Sequence, residues 1–295
     1  MSKKLLSLLC AVLPFAAFAA PVILKNDQLT ITVSPENGGC VTSLKPLKTE
    51  KEIVHKHGIC VDIQPEGAFP GLLRNLNYQV KSSSPDKTVL YTVVKKDNVH
   101  LSVTKQYRLI GKRLFVELQF KSLSANDQKF SYRAQNVFPS QGQYLSFQPE
   151  KGTIQTIDGG SDNTPKARCQ VYGSWSAMIH PKNKNGVIVR FAANEVKRGN
   201  NWYNTQMYGQ EFYFNPSVLK KGETRMIRYD LEYVENTLPV VAVIGDLAIG
   251  LDVPRLNTGF NYQMSLTPLA GSSVPAVTAK GFVNKDSRVT KTAKA

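Results

Sequence analysis

Short segments that alternate apolar with polar residues recur along most of this chain, and this pattern constrains its fold most strongly. In Leu114–Phe120 every second residue is apolar, and Glu117 and Gln119 lie between. Side chains of a strand point alternately to two faces, so such a segment predicts a strand with one buried face. Eight further segments read the same way: LTITV, ICVDI, VLYTVV, LSVTKQYRL, YLSFQ, GVIVRF, EFYF and MIRYDLEYV.

Turn-forming sequences separate these segments, and no long segment has a helical repeat. The joints include PENGG, SSSPDK, SAND, KNKNG and KKGE. Short strands at this spacing predict an all-β sandwich. Within it, Leu101–Leu109 and Arg113–Phe120 form a hairpin around Ile110–Lys112. Lys105 interrupts the apolar side of the incoming strand, and we expect its stem at the core edge with the ammonium in water.

The amino terminus has the pattern of a secretory signal peptide. A basic start, MSKK, precedes an apolar run that ends in small residues, and Ala17–Ala19 fits a cleavage site. The run is shorter than the ~20 residues that span a bilayer. We therefore expect residues 1–19 to be removed and the mature protein to be periplasmic or secreted.

The rest of the chain divides by pattern. Residues 20–235 carry the strand pattern and predict one sandwich domain. Residues 236–280 predict an extension that completes or flanks it, and residues 281–295, which are basic, predict a disordered tail. The apolar segment Leu238–Leu251 is interrupted by Gly245 and Asp246, so the mature chain is expected to have no membrane span.

The net charge of the chain limits the classes of partner that it can bind. The chain has a net charge of +15, which becomes +13 without Lys3 and Lys4. This excess favours anionic partners such as acidic polysaccharide, lipid headgroups or nucleic acid, or serves only solubility. No nucleic-acid motif is present, and we expect neither a cofactor nor a metal.

Three of the four cysteines follow residue 19, and Cys40–Cys60 is the favoured disulfide because both lie near consecutive predicted strands.

Three segments, taken in order, resemble the galactose-mutarotase-like family. They are LTITVSPENGGCVTSL, KQYRLIGKRLFVELQFKSLS and EFYFNPSVLKKGETRMIRYDLEYV, and the resemblance covers Pro21–Glu235. It implies a large two-layer antiparallel β-supersandwich. The opening strands also resemble, more weakly, the periplasmic domain of the bacterial membrane-protein insertase.

The resemblance implies carbohydrate binding or processing. Enzymes of the family use a carboxylate as base and a histidine as acid on opposite sides of a sugar. Glu211 lies where the family carries its basic glutamate. The expected histidine should fall in or near Phe130–Pro139, which contains none, and His180 is the candidate replacement.

Sugar rings stack on aromatic side chains, and polar groups beside them fix the orientation. The segment KRGNNWYNTQMYGQE predicts a binding loop around Trp202, whereas Trp175 shares an apolar face and is expected in the core. The expected carbohydrate-binding residues are Arg133, Gln135, Asn136, Arg198, Asn201, Trp202, Tyr203 and Tyr208.

Three functions remain open from the sequence. The first is an exported carbohydrate-binding protein that recognises sugar on a concave sandwich face. The second is an enzyme, either an aldose epimerase or another carbohydrate-active enzyme, that uses Glu211. The third is a periplasmic interaction or assembly factor.

Overall fold

The computed structural model describes most of the chain after residue 19. The described residues are 20–63, 71–96, 98–139, 144–150, 153–158, 167–169, 173–180, 182–203, 206–252, 263–273, 277–283 and 287–293. The expected signal peptide lies outside them. Among them there is no α-helix, one 3-10 turn at Ala193–Glu195, and a set of β-strands that confirms the all-β prediction.

Within the described residues, ten strands lie in the first half of the chain. They are β1 Val22–Lys25, β2 Leu29–Ser34, β3 Cys40–Pro46, β4 Ile59–Ile63, β5 Gln79–Ser84, β6 Lys87–Lys96, β7 Val99–Ile110, β8 Arg113–Ser122, β9 Gln128–Phe130 and β10 Tyr132–Pro139.

Fourteen strands follow. They are β11 Tyr144–Glu150, β12 Thr153–Asp158, β13 Ala167–Cys169, β14 Trp175–Ile179, β15 Gly186–Phe191, β16 Val196–Tyr203, β17 Met207–Phe214, β18 Ser217–Leu219, β19 Thr224–Val234, β20 Val240–Ile244, β21 Leu247–Asp252, β22 Gln263–Pro268, β23 Val277–Val283 and β24 Ser287–Ala293.

Two large antiparallel sheets form the body of the molecule. The first sheet has the strand order β1-β2-β3-β4-β10-β17-β16-β13, and the second has β12-β11-β14-β15-β19-β8-β7-β6-β5. Their inward faces share one apolar core. Ring contacts cross between the sheets, because Phe191 lies 4.2 Å from Phe212 and Phe120 lies 5.4 Å from Tyr132, measured between centroids.

The predicted hairpin is present in the second sheet. β7 and β8 pair throughout, from Leu101 with Ser122 to Ile110 with Arg113. Gly111 turns the chain with φ +53°, a left-handed conformation that glycine adopts without strain. The apolar side of β8 is buried, as its alternation predicts.

Lys105 differs from its prediction. It is fully buried, and its Nζ donates hydrogen bonds to the backbone oxygens of Gly38 (2.6 Å) and Val61 (3.0 Å) in the first sheet and its adjoining turn. The ammonium also lies 5.0 Å from the Tyr78 ring centroid. The ammonium thus crosses the core instead of reaching water, because two carbonyl acceptors replace its hydration there.

A disulfide joins Cys40 and Cys60, the pair that the sequence favoured. The two residues lie on β3 and β4, which are neighbours in the first sheet, with a Cα–Cα distance of 4.8 Å. Cys60 is directly opposite Gln135 of β10. The bridge therefore ties the amino-terminal strands to the centre of the first sheet.

The carboxy-terminal extension adds a third layer to the second sheet. Strands β20, β21 and β22 form a small sheet, and a second apolar cluster joins it to β14, β15 and β19. The cluster contains Trp175, Ala177, Ile179, Ile188, Val234, Val240, Ala248 and Leu269. Trp175 is thus a core residue, as its apolar neighbours predict.

Ion pairs support the same junction. Arg190 of β15 pairs with Asp230 and Glu232 of β19, at 2.9 and 2.8 Å, and with Asp246 at the β20–β21 turn, at 2.9 Å.

The sequence predicted a disordered tail over residues 281–295, whereas the structure has two paired strands in this region. β23 and β24 pair antiparallel from Val277 with Ala293 to Val283 with Ser287, because threonine and valine in both segments favour a hydrogen-bonded ladder.

Candidate functional site

Three neighbouring strands of the first sheet carry a polar cluster on the face turned away from the core. Alternation on β10, β17 and β16 brings these side chains to one side, and we call this the site face. Gln135, Glu211 and Asn200 lie directly opposite one another across the three strands. The side chains of the site face are Arg133, Gln135, Arg198, Asn200, Trp202, Glu211 and Tyr213.

Glu211 lies at the centre of the cluster and accepts five hydrogen bonds. Its Oε1 accepts from Arg133 (2.9 Å), Gln135 (3.0 Å) and the Trp202 indole (3.2 Å). Its Oε2 accepts from Asn200 (2.9 Å) and the Tyr213 hydroxyl (2.9 Å). A carboxylate has about four lone-pair sites, so this carboxylate is saturated by protein donors.

The ion pair between Arg133 and Glu211 is buried. Each side chain is only 5% exposed. Taking both charges out of water is costly, and the close charge-assisted contact with further donors offsets that cost. The pair therefore fixes β10 against β17 at the centre of the site face.

A second carboxylate, Asp62, lies on β4 directly opposite Arg133. It is buried and accepts the backbone N–H of Leu73 at 2.7 Å. Burial raises the pKa of Asp62, and the Leu73 hydrogen bond and the charges of Lys105, Arg133 and Arg74 oppose this shift. Gly71 is required beside it, since a Cβ there would lie 2.4 Å from the Asp62 Cγ.

Arg74 reaches the same cluster from the segment that follows residue 71. One guanidinium nitrogen donates to the Gln135 Oε1 at 2.6 Å, and another donates to the backbone oxygen of His57. Gly38 allows this approach, because a Cβ at its φ of +67° would lie 2.7 Å from the Arg74 backbone. Sequence reasoning missed Arg74 and Asp62. A polar residue inside the apolar strand ICVDI was the only available signal.

The accessible part of the cluster is aromatic and cationic. Trp202 is half-buried, and its ring packs on Gly209, where a Cβ would lie 2.0 Å from the indole. Arg198 stacks over the Tyr213 ring at 4.4 Å from the centroid. Burial, followed by the neighbouring Glu211 charge, raises the pKa of Tyr213. The phenol therefore stays protonated and keeps donating to Glu211.

Solved structures show what this architecture resembles. A galactose mutarotase-like protein from Lactobacillus casei matches with a TM-score of 0.61 at 10% identity, over 73% of this chain and 100% of its own. A galactose mutarotase related enzyme from Lactobacillus acidophilus matches with a TM-score of 0.58 at 11% identity, over 74% of this chain and 98% of its own. The chain has the galactose mutarotase-like fold.

A third mutarotase-like structure, from Clostridium acetobutylicum, gives the same result. It matches with a TM-score of 0.56 at 11% identity, over 72% of this chain and 94% of its own. The sequence matches no protein-family model and no curated protein. At these identities the likeness establishes the mutarotase-like fold, and it leaves roughly a quarter of this chain outside the match.

The site face does not include all the binding residues that were predicted from the sequence. Asn136 and Tyr208 are buried on the core side of the first sheet, so neither belongs to the site face. Asn136 donates to Gln210 at 3.3 Å, and Gln210 in turn donates to Ser176 of the second sheet. Side chains alternate between the two faces of a strand, and Asn136 and Tyr208 are each one position away from a residue of the site side, Gln135 and Gly209.

The predicted binding loop around Trp202 is a hairpin. Val196–Tyr203 and Met207–Phe214 are paired strands, with Trp202 opposite Gly209. Polar residues on the site face had given this segment the composition of a loop. Asn201 and Tyr203 occupy strand positions in β16, and their side chains lie outside the described residues.

His180 is not beside Glu211. It lines a small cavity with Thr49, Glu52 and Pro139, and its Nδ1 accepts the backbone N–H groups of its own turn. Pro139 is four residues along β10 from Gln135, the partner of Glu211, a separation of about 13 Å. A sugar held at Glu211 would therefore not meet His180 as its acid.

The described residues contain no group of three or more side chains suited to hold a metal ion. They also contain no helix long and apolar enough to span a membrane. The chemistry that the site face offers is hydrogen bonding, charge and aromatic stacking.

Proposed function

We propose that this protein is an exported carbohydrate-binding protein that recognises sugar on the site face. The observation that carries the proposal is Trp202, a half-buried indole fixed by Gly209 beneath it and by Glu211 at its N–H. A rigid aromatic face of this kind stacks on the C–H face of a sugar ring. Arg198, Tyr213 and Asn200 supply polar groups around it.

Binding fits the geometry better than catalysis does. A general base must accept a proton from the sugar, and the five donors on Glu211 occupy its lone pairs. The Arg133 guanidinium, 2.9 Å from Oε1, lies where a proton donor of the sugar would have to approach. We therefore expect that a sugar bound here keeps its anomeric equilibration rate, as polarimetry would measure it.

An acidic sugar is the preferred ligand. Three arginines, Arg74, Arg133 and Arg198, face two carboxylates, Asp62 and Glu211, so the cluster carries excess positive charge. Guanidinium groups bind carboxylate and sulfate in a fixed fork geometry. Arg198 stands at the accessible side of the cluster, where it can contact an acidic substituent of a ring stacked on Trp202.

Export is supported by the signal-peptide pattern of residues 1–19 and by the Cys40–Cys60 disulfide. Disulfides persist in oxidising compartments such as the periplasm. Fractionation of cells producing the full chain tests export. Recovery of the protein from the cytoplasm with residues 1–19 attached would contradict it.

Trp202→Ala is expected to weaken sugar binding about 10-fold or more while the protein stays folded. The substitution removes the stacking face and leaves the Arg133–Glu211 pair in place. Calorimetric titration of residues 20–295 with neutral and acidic oligosaccharides, at two salt concentrations, measures the loss. Thermal unfolding of the same variant shows whether the fold persists.

Tyr91→Ala is the matched control, because Tyr91 is a partly exposed aromatic residue on the outer side of the second sheet. It should leave sugar affinity unchanged. Equal losses in the two variants, or a Trp202→Ala variant that unfolds, would contradict a sugar site at Trp202.

A further inference from the structure

The outer side of the second sheet carries a basic surface. On β7 the side chains of Lys105, Tyr107 and Leu109 point into the core, so Arg108 points outward. The same alternation sends basic residues of the neighbouring strands to this side. We call it the basic face, and it comprises Lys81, Lys87, Lys95, Arg108, Lys121 and Arg228.

The charge of the basic face is largely uncompensated. Glu117 is the one carboxylate that the outward positions of β6, β7 and β8 contribute, and it pairs with Arg228 at 2.6 Å. No ion pair within the described residues involves the other five cations. Lys81 and Arg108 instead stand over the rings of Tyr91 and Phe115, at 4.9 and 5.0 Å. Over the outward positions of β5 to β8 and β19 together, Arg113 adds a seventh cation, and Asp230 and Glu232 join Glu117 as carboxylates, so the excess is four positive charges.

This part of the sheet is open. The three-stranded layer of β20, β21 and β22 covers the other end, over β14, β15 and β19, and within the described part of the chain no apolar cluster joins such a layer to the outer side of β5 to β8. Two apolar side chains stand out from the open region: Ile110 is 51% exposed and Val93 is 42% exposed. They lie toward opposite ends of the face, with the cations distributed between and around them.

We propose that the basic face docks the protein on an anionic lipid surface. The cations are spread over several adjacent strands, and Lys87 and Lys95 alone are about 26 Å apart along β6. A planar layer of anionic headgroups meets such charges together, whereas a linear glycan meets only a row of them. Each lysine or arginine near such a surface adds attraction, and exposed Ile110 and Val93 add apolar contact. The site face, on the other sheet, stays free for sugar.

The test is co-sedimentation of residues 20–295 with vesicles. We expect binding to vesicles of phosphatidylcholine with about one-third phosphatidylglycerol, little binding to phosphatidylcholine alone, and release at high salt. In the triple variant Lys87→Glu, Arg108→Glu and Lys121→Glu, affinity should fall about 100-fold or more, because each basic residue strengthens binding roughly fivefold.

The control variant has the same net charge. Lys45→Glu, Lys129→Glu and Lys182→Glu change three exposed lysines outside the basic face, and vesicle binding should fall by less than about 10-fold. Sugar titration of both triple variants measures whether the site face still binds sugar. A failure of the lipid proposal can then be distinguished from a failure of the sugar proposal at Trp202.

Three results would overturn the proposal. The first is no binding to anionic vesicles at low salt. The second is an equal loss in the two triple variants, which would assign the attraction to total charge. The third is heparin binding that depends on the basic face without any lipid binding, which would make the partner an acidic glycan.

Discussion

Glu211→Leu is expected to lower the unfolding free energy by about 3–5 kcal/mol. The substitution leaves the Arg133 guanidinium buried without the carboxylate 2.9 Å away, and it removes the acceptor of Gln135, Asn200, Trp202 and Tyr213. Breaking a buried ion pair costs this much because the remaining charge stays desolvated. Chemical denaturation followed by circular dichroism measures the change.

Two comparisons sharpen this experiment. The double variant Arg133→Met with Glu211→Leu should lose less than Glu211→Leu alone, since no buried charge is left from the pair. Glu117→Leu breaks the exposed pair with Arg228, whose side chain is 71% exposed, and should cost less than about 1 kcal/mol. Glu211→Leu with wild-type stability would show that this carboxylate does not hold the strands together.

Lys105 is expected to make the protein more stable as the pH rises from 7 to 9. Burial lowers the pKa of Lys105 from 10.5 to about 7, which outweighs the opposing effect of Asp62. Below about pH 7 both states hold the proton, so this group adds no pH dependence. Between about 7 and 10.5 the unfolded state binds the proton and the folded state does not, so the unfolding free energy increases with pH.

The expected gain from this group is about 2 kcal/mol between pH 7 and pH 9. Lys105→Met should remove it, and Lys87→Met, which changes an exposed lysine of the adjacent strand, should leave it in place. Denaturation curves at several pH values give the three slopes. Parallel slopes for wild type and Lys105→Met would mean that the ammonium stays charged in the folded protein at pH 9, held by Gly38 and Val61.

The strands of the sandwich were predictable because their signal is local. β4 has the predicted bounds, β7 and β8 contain the two predicted segments of the hairpin, and the Cys40–Cys60 pair followed from the order of the early strands. Alternation was less reliable where both faces of a strand are polar. Around Trp202 the polar composition predicted a loop, whereas the segment is the β16–β17 hairpin.

The site was predictable in part. Trp202 was predicted from its chemistry, and Arg133, Gln135 and Glu211 from the segments that the family resemblance pointed to. The structure brings all four into one hydrogen-bonded cluster. Asn136 and Tyr208 have suitable chemistry, but they lie on the opposite face of their strands and point into the core. Asp62 and Arg74 come from distant parts of the chain, and no local pattern connects them with Glu211.

The sequence by itself determined the strands that alternate clearly, their turns, the all-β sandwich and the overall positive charge, because period-two alternation and turn chemistry act over a few residues. Only the tertiary structure decided which polar residues meet. Cross-strand register places Gln135 against Glu211, and core packing leads the Lys105 ammonium to two carbonyls. Sheet order gathers the cations of separate strands on one face. Each of these depends on contacts between residues far apart in the chain, which local pattern does not encode.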